Sequence, residues 1–414
     1  MATISIYTLT SNLHDEEAVR KSTEQFLSSL DIEYQYCGND FTTYGDATLS
    51  LIYVRTGGTE NAFLELLPQL RKQSSQPFYL LTSGKSNSLA ASLEILSYLQ
   101  ANELKGEVLH GRASYVKNRI ELLACVEAGK KALKGVKVGV IGKPSDWLIS
   151  SMVDYAAIEQ KLGIKFVQVD MQEVKAEFEK VSAQMTEEVL REELARYKEK
   201  VAPICKDDAP GVERSLTGAL HMYHALKNIV AHYGLQAFTI RCFDLLTAYH
   251  NTGCLALARL NEEGIVAGCE GDVPTLLSML IVKSLTGVSG FQANPSQINA
   301  ETGDILFAHC TIPLNMVNRY ELDTHFESSI GVGIRGYMQE GFITIFKVSP
   351  AFDRYFAAEG QLEHNSGDDN LCRTQQHIRL NRTADARYFL TQPIGNHHVI
   401  VPGHVKELLE EFMR

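Results

Sequence analysis

The chain has 414 residues, with 39 Lys and Arg against 50 Asp and Glu for a formal net charge of −11, and is 45% hydrophobic and 21% charged. That composition is ordinary for folded domains and excludes disordered, collagen-like and coiled-coil chains. An acidic surface repels phosphate backbones and anionic lipid, so no nucleic acid and no membrane is expected as a partner. At ~150 residues per domain, two or three domains are expected.

No stretch approaches the ~18 consecutive apolar residues of a membrane span. The opening run reads as a first strand, without the basic and apolar regions of a secretory signal. Eight cysteines, Cys37, Cys125, Cys205, Cys242, Cys254, Cys269, Cys310 and Cys372, are scattered without a CxxC pair. That usage fits free thiols and a cytoplasmic location better than disulfides or thiolate zinc.

In chain order, Ile4 to Leu9, Leu49 to Val54 and Phe78 to Leu81 read as strands, while Glu16 to Leu30, Glu60 to Lys72 and Ser88 to Asn102 carry apolar residues at helical spacing. Such alternation predicts a parallel α/β sheet with helical crossovers, whose ligands bind at the carboxyl ends of the strands. A helix from about Tyr115 to Leu133 leads to a second α/β unit. Its strands are Val136 to Gly142, Phe166 to Val169 and Ala237 to Ile240. The Glu/Lys-rich stretch between Thr186 and Lys200 reads as a helix with a solvated face. From about Asn294 the texture becomes β-rich, with Val332 to Gly336, Phe342 to Phe346, His377 to Leu380 and His398 to Val401 as strands and a closing helix from Val405 to Phe412. The predicted class is α/β: two parallel-sheet, Rossmann-like domains at 1–134 and 135–293, then a β-rich domain at 294–414 whose short strands suit a small barrel.

Most polar residues have ordinary explanations. His221 and His224 sit three apart on one helix without an HExxH pattern, so they read as surface or core histidines. The loop Lys143 to Trp147 follows a strand but lacks the glycine pattern of a phosphate loop. One stretch differs: Gly268-Cys269-Glu270-Gly271-Asp272 sets two carboxylates beside glycines between an apolar run and an apolar helix. Asp272 there also suits a helix cap, with Glu270 solvated. His309 in a β-type run and the pair His397-His398 before an apolar strand are each ordinary singly. Side chains alternate across a strand, so only one of His397 and His398 can face a given site. A carboxylate and two histidines together make an oxygen/nitrogen site for Mn²⁺ or another divalent cation.

Glu270-Gly271-Asp272, Phe291-Gln292-Ala293-Asn294-Pro295, Ala308-His309-Cys310 and His397-His398, in that order and spacing, resemble the L-fucose/L-arabinose isomerase superfamily, particularly its shorter fucose isomerase-like members. The resemblance implies a metal-dependent aldose–ketose isomerase acting on an open-chain sugar through an enediol, assembled as a homo-oligomer (trimer or hexamer). By position it implies Glu270, His309 and His398 as metal ligands and His397 as a neighbouring substrate residue. Glu270, Asp272 and Asn294 are the catalytic candidates, Asn294 also a sugar contact. The family has a carboxylate where this chain has Asn294, and an amide cannot take a proton as a general base. That departure keeps an inactive sugar-binding or regulatory protein as the alternative. Arg55, Lys85, Arg335 and Arg373 are the basic candidates for an anionic sugar.

Overall fold

The structure, a computed structural model, describes residues 2–200 and 209–414, so Cys205 lies outside the described residues. The chain divides into two compact units, Met1–Lys131 and Ala132–Arg414. The first holds β1 (Ile4–Leu9), α1 (Glu16–Ser29), β2 (Gln35–Gly38), β3 (Leu49–Val54), α2 (Glu60–Gln73), β4 (Phe78–Leu81), α3 (Ser88–Ala101), β5 (Gly106–Leu109) and most of α4 (Ala113–Leu133). Its sheet is parallel, in the order β2-β1-β3-β4-β5. In β3, Leu51 and Tyr53 pack with Leu27 of α1 and Ile120 of α4, while Ile52 and Val54 pack with Phe63 of α2 and Ile95 of α3. A strand covered on both faces needs apolar residues at every position. The edge strands β2 and β5 carry exposed or half-buried side chains, so no apolar run announces them.

The second unit opens with β6 (Lys137–Ile141), α5 (Tyr155–Leu162), β7 (Lys165–Val169), α6 (Met171–Gln184) and α7 (Glu187–Tyr197). It continues through α8 (Ala209–Tyr233), β8 (Ala237–Ile240), α9 (Asp244–Tyr249), α10 (Cys254–Glu262), β9 (Val266–Gly268) and α11 (Val273–Thr286). Its parallel sheet has the order β7-β6-β8-β9. Helix α7 departs from the solvated face expected of it. Leu190, Leu194 and Tyr197 pack against the core, and buried Glu193 meets Arg259 of α10 at 2.6 Å.

The β-rich part contains β10 (Phe291–Asn299), β11 (Asp304–His309), β12 (Arg319–Asp323), β13 (Gly333–Tyr337), β14 (Gly341–Val348), β15 (Tyr355–Ser366) and β16 (Thr374–Leu380). It ends with α12 (Ala386–Thr391), β17 (His398–Pro402) and α13 (Lys406–Met413). Six strands close an antiparallel barrel, β10-β11-β16-β15-β14-β17, and β12 pairs with β13 beside it. Closure leaves no unpaired sheet edge. Alternate residues such as Ile305 and Phe307, Ile343 and Ile345, and Ile378 and Leu380 fill its apolar core. No helix among the described residues is long and apolar enough to cross a membrane.

Candidate metal centre

The site begins at the carboxyl end of β9, where the parallel strand turns into α11. Glu270 (φ 63°) and Gly271 (φ 71°) both adopt the left-handed conformation. A Cβ on Gly271 would lie 2.7 Å from both the Lys143 carbonyl oxygen and Pro144 Cα, so only glycine fits. The Ser145 N–H donates to the Glu270 carbonyl at 2.9 Å and pins the two loops together. A left-handed glutamate costs about 1–2 kcal/mol, and this one is aimed inward, with only 7% of its surface exposed. Asp272 is the N-cap of α11. One carboxylate oxygen accepts from the Thr275 N–H at 2.9 Å, and the other accepts from the Thr275 hydroxyl at 2.7 Å.

Two histidines from the barrel strands meet Glu270. Its Oε1 lies 3.5 Å from His309 Nε2 and 3.4 Å from His397 Nε2, and its Oε2 accepts from the Trp147 indole N–H at 2.7 Å. His309 Nδ1 is 3.0 Å from the Thr311 hydroxyl. His397 Nδ1 donates to Asp272 Oδ2 at 2.8 Å, which fixes the ring's tautomer and turns Nε2 toward Glu270. That Nε2 is buried without a hydrogen-bond partner, and so is the side-chain oxygen of Asn294. Behind Asp272 lies Lys347, 1% exposed, with Nζ 3.5 Å from Oδ2 and in contact with the Thr275 hydroxyl.

The electrostatics follow from this arrangement. Burial alone would raise the Glu270 pKa, but His397 and His309 outweigh it and hold the carboxyl far below its ordinary value. Burial would likewise raise Asp272, and Lys347 with His397 keeps it ionised. Burial works against charge on His397, yet Glu270 and Asp272 push its pKa up to about 9. Two carboxylates that draw a proton to this spot so strongly draw any cation there. His309 is lowered by burial, which favours the neutral, ligating imidazole. Among the described residues, Glu270, His309 and His397 alone bring three such ligand atoms within 4.8 Å of one another. A buried carboxylate and two imidazole nitrogens, one of them without a hydrogen-bond partner, are a donor set that fits a divalent cation.

Glu270, Asn294, His309, His325 and Glu327 line one cavity. The cavity volume is about 40 Å³, room for an ion and a few waters. Cysteines 242, 254, 269, 310 and 372 form much of the wall. Burial raises the Cys254 thiol, and the neighbouring Cys242 and burial raise that of Cys269, so both remain protonated.

The structure therefore brings together four of the residues singled out in the sequence, Glu270, Asn294, His309 and His397. It brings His397, not His398, to the carboxylate. His398 shares the parity of Ile400, a barrel-core residue, and faces Phe389 (ring centroids 4.9 Å apart). Its Nδ1 donates to the Asn396 carbonyl at 3.2 Å and its Nε2 accepts from the Tyr388 hydroxyl at 3.0 Å, so neither nitrogen is open. Asp272 stands behind His397 with both oxygens engaged rather than in the cavity. His221 packs on Phe178 and His224 lies 3.9 Å from Glu193. Of the basic candidates, Arg335 and Arg373 both pair with Asp323, at 2.7 and 3.5 Å.

Four residues escaped the sequence reading. Trp147 is the chain's one tryptophan, and it lies on the loop read as a failed phosphate motif. Lys347 breaks the apolar run of β14, a charge in a buried strand that is itself a signal. His325 and Glu327 sit in a Ser/Gly-bearing loop that offers none.

Residues 152–287 match the family model of the L-arabinose isomerase central domain, a span that holds Glu270 and Asp272. The chain is 26% identical over 279 residues to a sulfoquinovose isomerase of Alkalicoccus urumqiensis, covering 65% of this chain and 60% of that protein. It is 25% identical over 231 residues to one of Priestia aryabhattai (54% and 50%), and 32% identical over 118 residues to one of Clostridium sp. strain MSTE9 (26% of each). The chain thus spans 60% or less of the length of these relatives. Its central part is thus similar to the L-arabinose isomerase central domain, and the chain as a whole is similar to sulfoquinovose isomerases.

Proposed function

We propose that this protein is an aldose–ketose isomerase that holds Mn²⁺ or a similar divalent cation on Glu270, His309 and His397. The observation that carries this reading is the buried, unpartnered Nε2 of His397, 3.4 Å from a carboxylate that also meets His309. Held there, a cation would supply Lewis acidity to an open-chain α-hydroxy aldehyde. The protein's residues do the rest. Asp272 holds His397 in the ligating tautomer, and Lys347 keeps Asp272 charged. Asn294 offers a buried amide oxygen to a sugar hydroxyl. Phe243 lines the cavity, and Trp147 packs edge to face on it at 4.7 Å while its indole N–H steadies Glu270. The likeness to sulfoquinovose isomerases supports a monosaccharide substrate and puts a sulfonated sugar among the first to try.

A second reading, a sugar-binding protein without turnover, is favoured by one observation: the amide of Asn294 stands where the family has an acid. Proton NMR in D₂O separates the two. Metal-stripped protein is mixed with sulfoquinovose and a panel of unsubstituted aldoses, with and without Mn²⁺. Mn²⁺-dependent ketose formation, with deuterium entering at C1 or C2, is expected. Sugar binding without product or exchange across the panel would sink the isomerase reading.

A further inference from the structure

An isomerase of this kind needs a group that can take a proton and give it back near neutral pH. The obvious candidates in this chain do not qualify. Glu270 would be committed to the cation, Asp272 is closed off behind His397, and Asn294 is an amide.

We propose that Glu327, on the loop between β12 and β13, is the proton-carrying carboxylate of the site, in place of the acid that Asn294 lacks. It lines the same cavity as Glu270, Asn294 and His309. The loop that carries it is tied down on every side. Arg373 Nε donates to the Thr324 carbonyl at 2.8 Å, the Ser329 N–H to the His325 carbonyl at 2.8 Å, and the His325 N–H to the Ile330 carbonyl at 3.1 Å. At its far end the Thr252 hydroxyl donates to the Val332 carbonyl at 2.6 Å. Buried His325 packs edge-on against Phe243, ring centroids 5.7 Å apart, and its Nδ1 is 3.0 Å from the Ser328 hydroxyl. The braced backbone holds Glu327 at the rim of the cavity, where its exposed carboxyl is open to a bound sugar. No ion pair or hydrogen bond engages the Glu327 side chain among the described residues. Burial, and after it the negative charge of Glu270, raises its pKa above the ordinary carboxylate value. That is the direction a proton carrier needs.

This inference rests on the isomerase reading, and the step it assigns balances as follows. The Glu327 carboxylate takes the proton from C2. The C2–H electron pair becomes the C1–C2 double bond, and the carbonyl π pair moves to O1. The Glu327 carboxylic acid then returns the proton to C1 while the O2 hydroxyl proton passes to O1 and C2=O2 forms. The net change is one hydrogen from C2 to C1 and one from O2 to O1, with no oxidant or reductant.

The test compares wild type, Glu327→Gln and Glu327→Asp in D₂O with Mn²⁺ and the aldoses that the wild type converts, following both ketose formation and loss of the C2 proton signal. Mn²⁺ affinity, read by electron paramagnetic resonance, is the second measurement. Glu327→Gln is expected to lower both rates by about a hundredfold to ten-thousandfold while Mn²⁺ affinity stays within about threefold, and Glu327→Asp is expected to recover part of the rate. Retention of more than about a third of wild-type turnover by Glu327→Gln would overturn the assignment. So would a matching collapse of Mn²⁺ binding, which would make the residue a ligand or a prop. Absence of conversion by the wild type is a different failure, that of the isomerase reading itself.

Discussion

Two buried charge clusters in the second unit solve the same physical problem in opposite ways. Around Arg259, the guanidinium meets Glu193 at 2.6 and 3.3 Å and lies 3.8 Å over the Tyr223 ring, while Lys227 and the Tyr223 hydroxyl both donate to Glu263. Each charge there has an opposite charge in contact, and the one loose end is His224 Nε2, buried without a hydrogen-bond partner 3.9 Å from Glu193. Around Glu270 the balance is left open, with an imidazole nitrogen and an amide oxygen buried and unpartnered. An unsatisfied buried polar group costs about 1–3 kcal/mol, and two of them around a left-handed glutamate mark a place shaped for something else. Closed clusters hold the fold, whereas open ones wait for a ligand.

Single substitutions test that contrast, since each cluster should fail in its own currency. The largest effect is expected from Glu270→Gln, which removes the carboxylate that faces both histidines. Mn²⁺ binding should be lost and turnover should fall at least about a thousandfold, ~4 kcal/mol in barrier, while thermal stability stays near wild type. Arg259→Ala should behave the other way round. It strands Glu193 in a buried position, at a cost of about 3 kcal/mol in chemical denaturation, with Mn²⁺ affinity of the folded protein unchanged. If Arg259→Ala weakened metal binding as much as it weakened the fold, the two clusters would not be separate devices.

Asp272→Asn comes next. It keeps shape at the helix cap but removes the charge that orients His397, and outer partners of ligating histidines are worth about ten- to a hundredfold in metal affinity. A Mn²⁺ titration of the variant measures this directly. A smaller effect separates the clusters by pH. Burial would raise the Glu193 pKa, but Arg259 outweighs it and holds it below its ordinary value near 4.5. A carboxylate lowered in the folded state contributes stability above its unfolded pKa and loses it as pH falls through the folded one. Urea midpoints of the wild type should therefore decline below about pH 4.5, and Glu193→Gln should show a shallower decline. An identical slope in both proteins would remove Glu193 from the acid response.

How much of this was legible in the sequence depends on which side of an element a residue needs. Long apolar runs fixed β1, β3 and β4 because they are covered on both faces, and the β-rich texture after Asn294 foretold a barrel. Glu270 was legible because glycines flank it, and Gly271 proves to be required by the loop packed on it. The edge strands β2 and β5 were invisible because partly exposed strands carry no apolar signature. The burial of Glu193 was hidden because its partner, Arg259, lies 66 residues away. Glu327 was hidden for a similar reason, since nothing local in its loop marks the cavity that tertiary packing brings to it.

The histidine pair sharpens the same lesson and gives the smallest expected effect. Adjacent residues at a strand start face opposite ways, so sequence spacing limits the ligand to one of the two without saying which. The choice is made by the barrel: Ile400 must fill the core, which carries His398 inward with it, among Phe356, Phe389 and Tyr388. Both nitrogens of His398 are engaged, and burial, aided by the charge of Lys347, pushes its pKa down to about 3, so it is a neutral core residue. His398→Phe should cost about 1 kcal/mol through the lost hydrogen bonds. The Tyr388 hydroxyl still accepts from the Ile394 N–H at 2.8 Å, which limits the loss. Mn²⁺ affinity should stay within about twofold, whereas His397→Gln should lower it at least about tenfold. If the two variants exchanged these outcomes, the ligand would be His398 after all, and the strand would have to slip by one residue on binding, moving Ile400 out of the core. The barrel's closed register makes that slip expensive, because every ladder pair from Phe291–Ile400 to Phe346–Val399 would have to break with it.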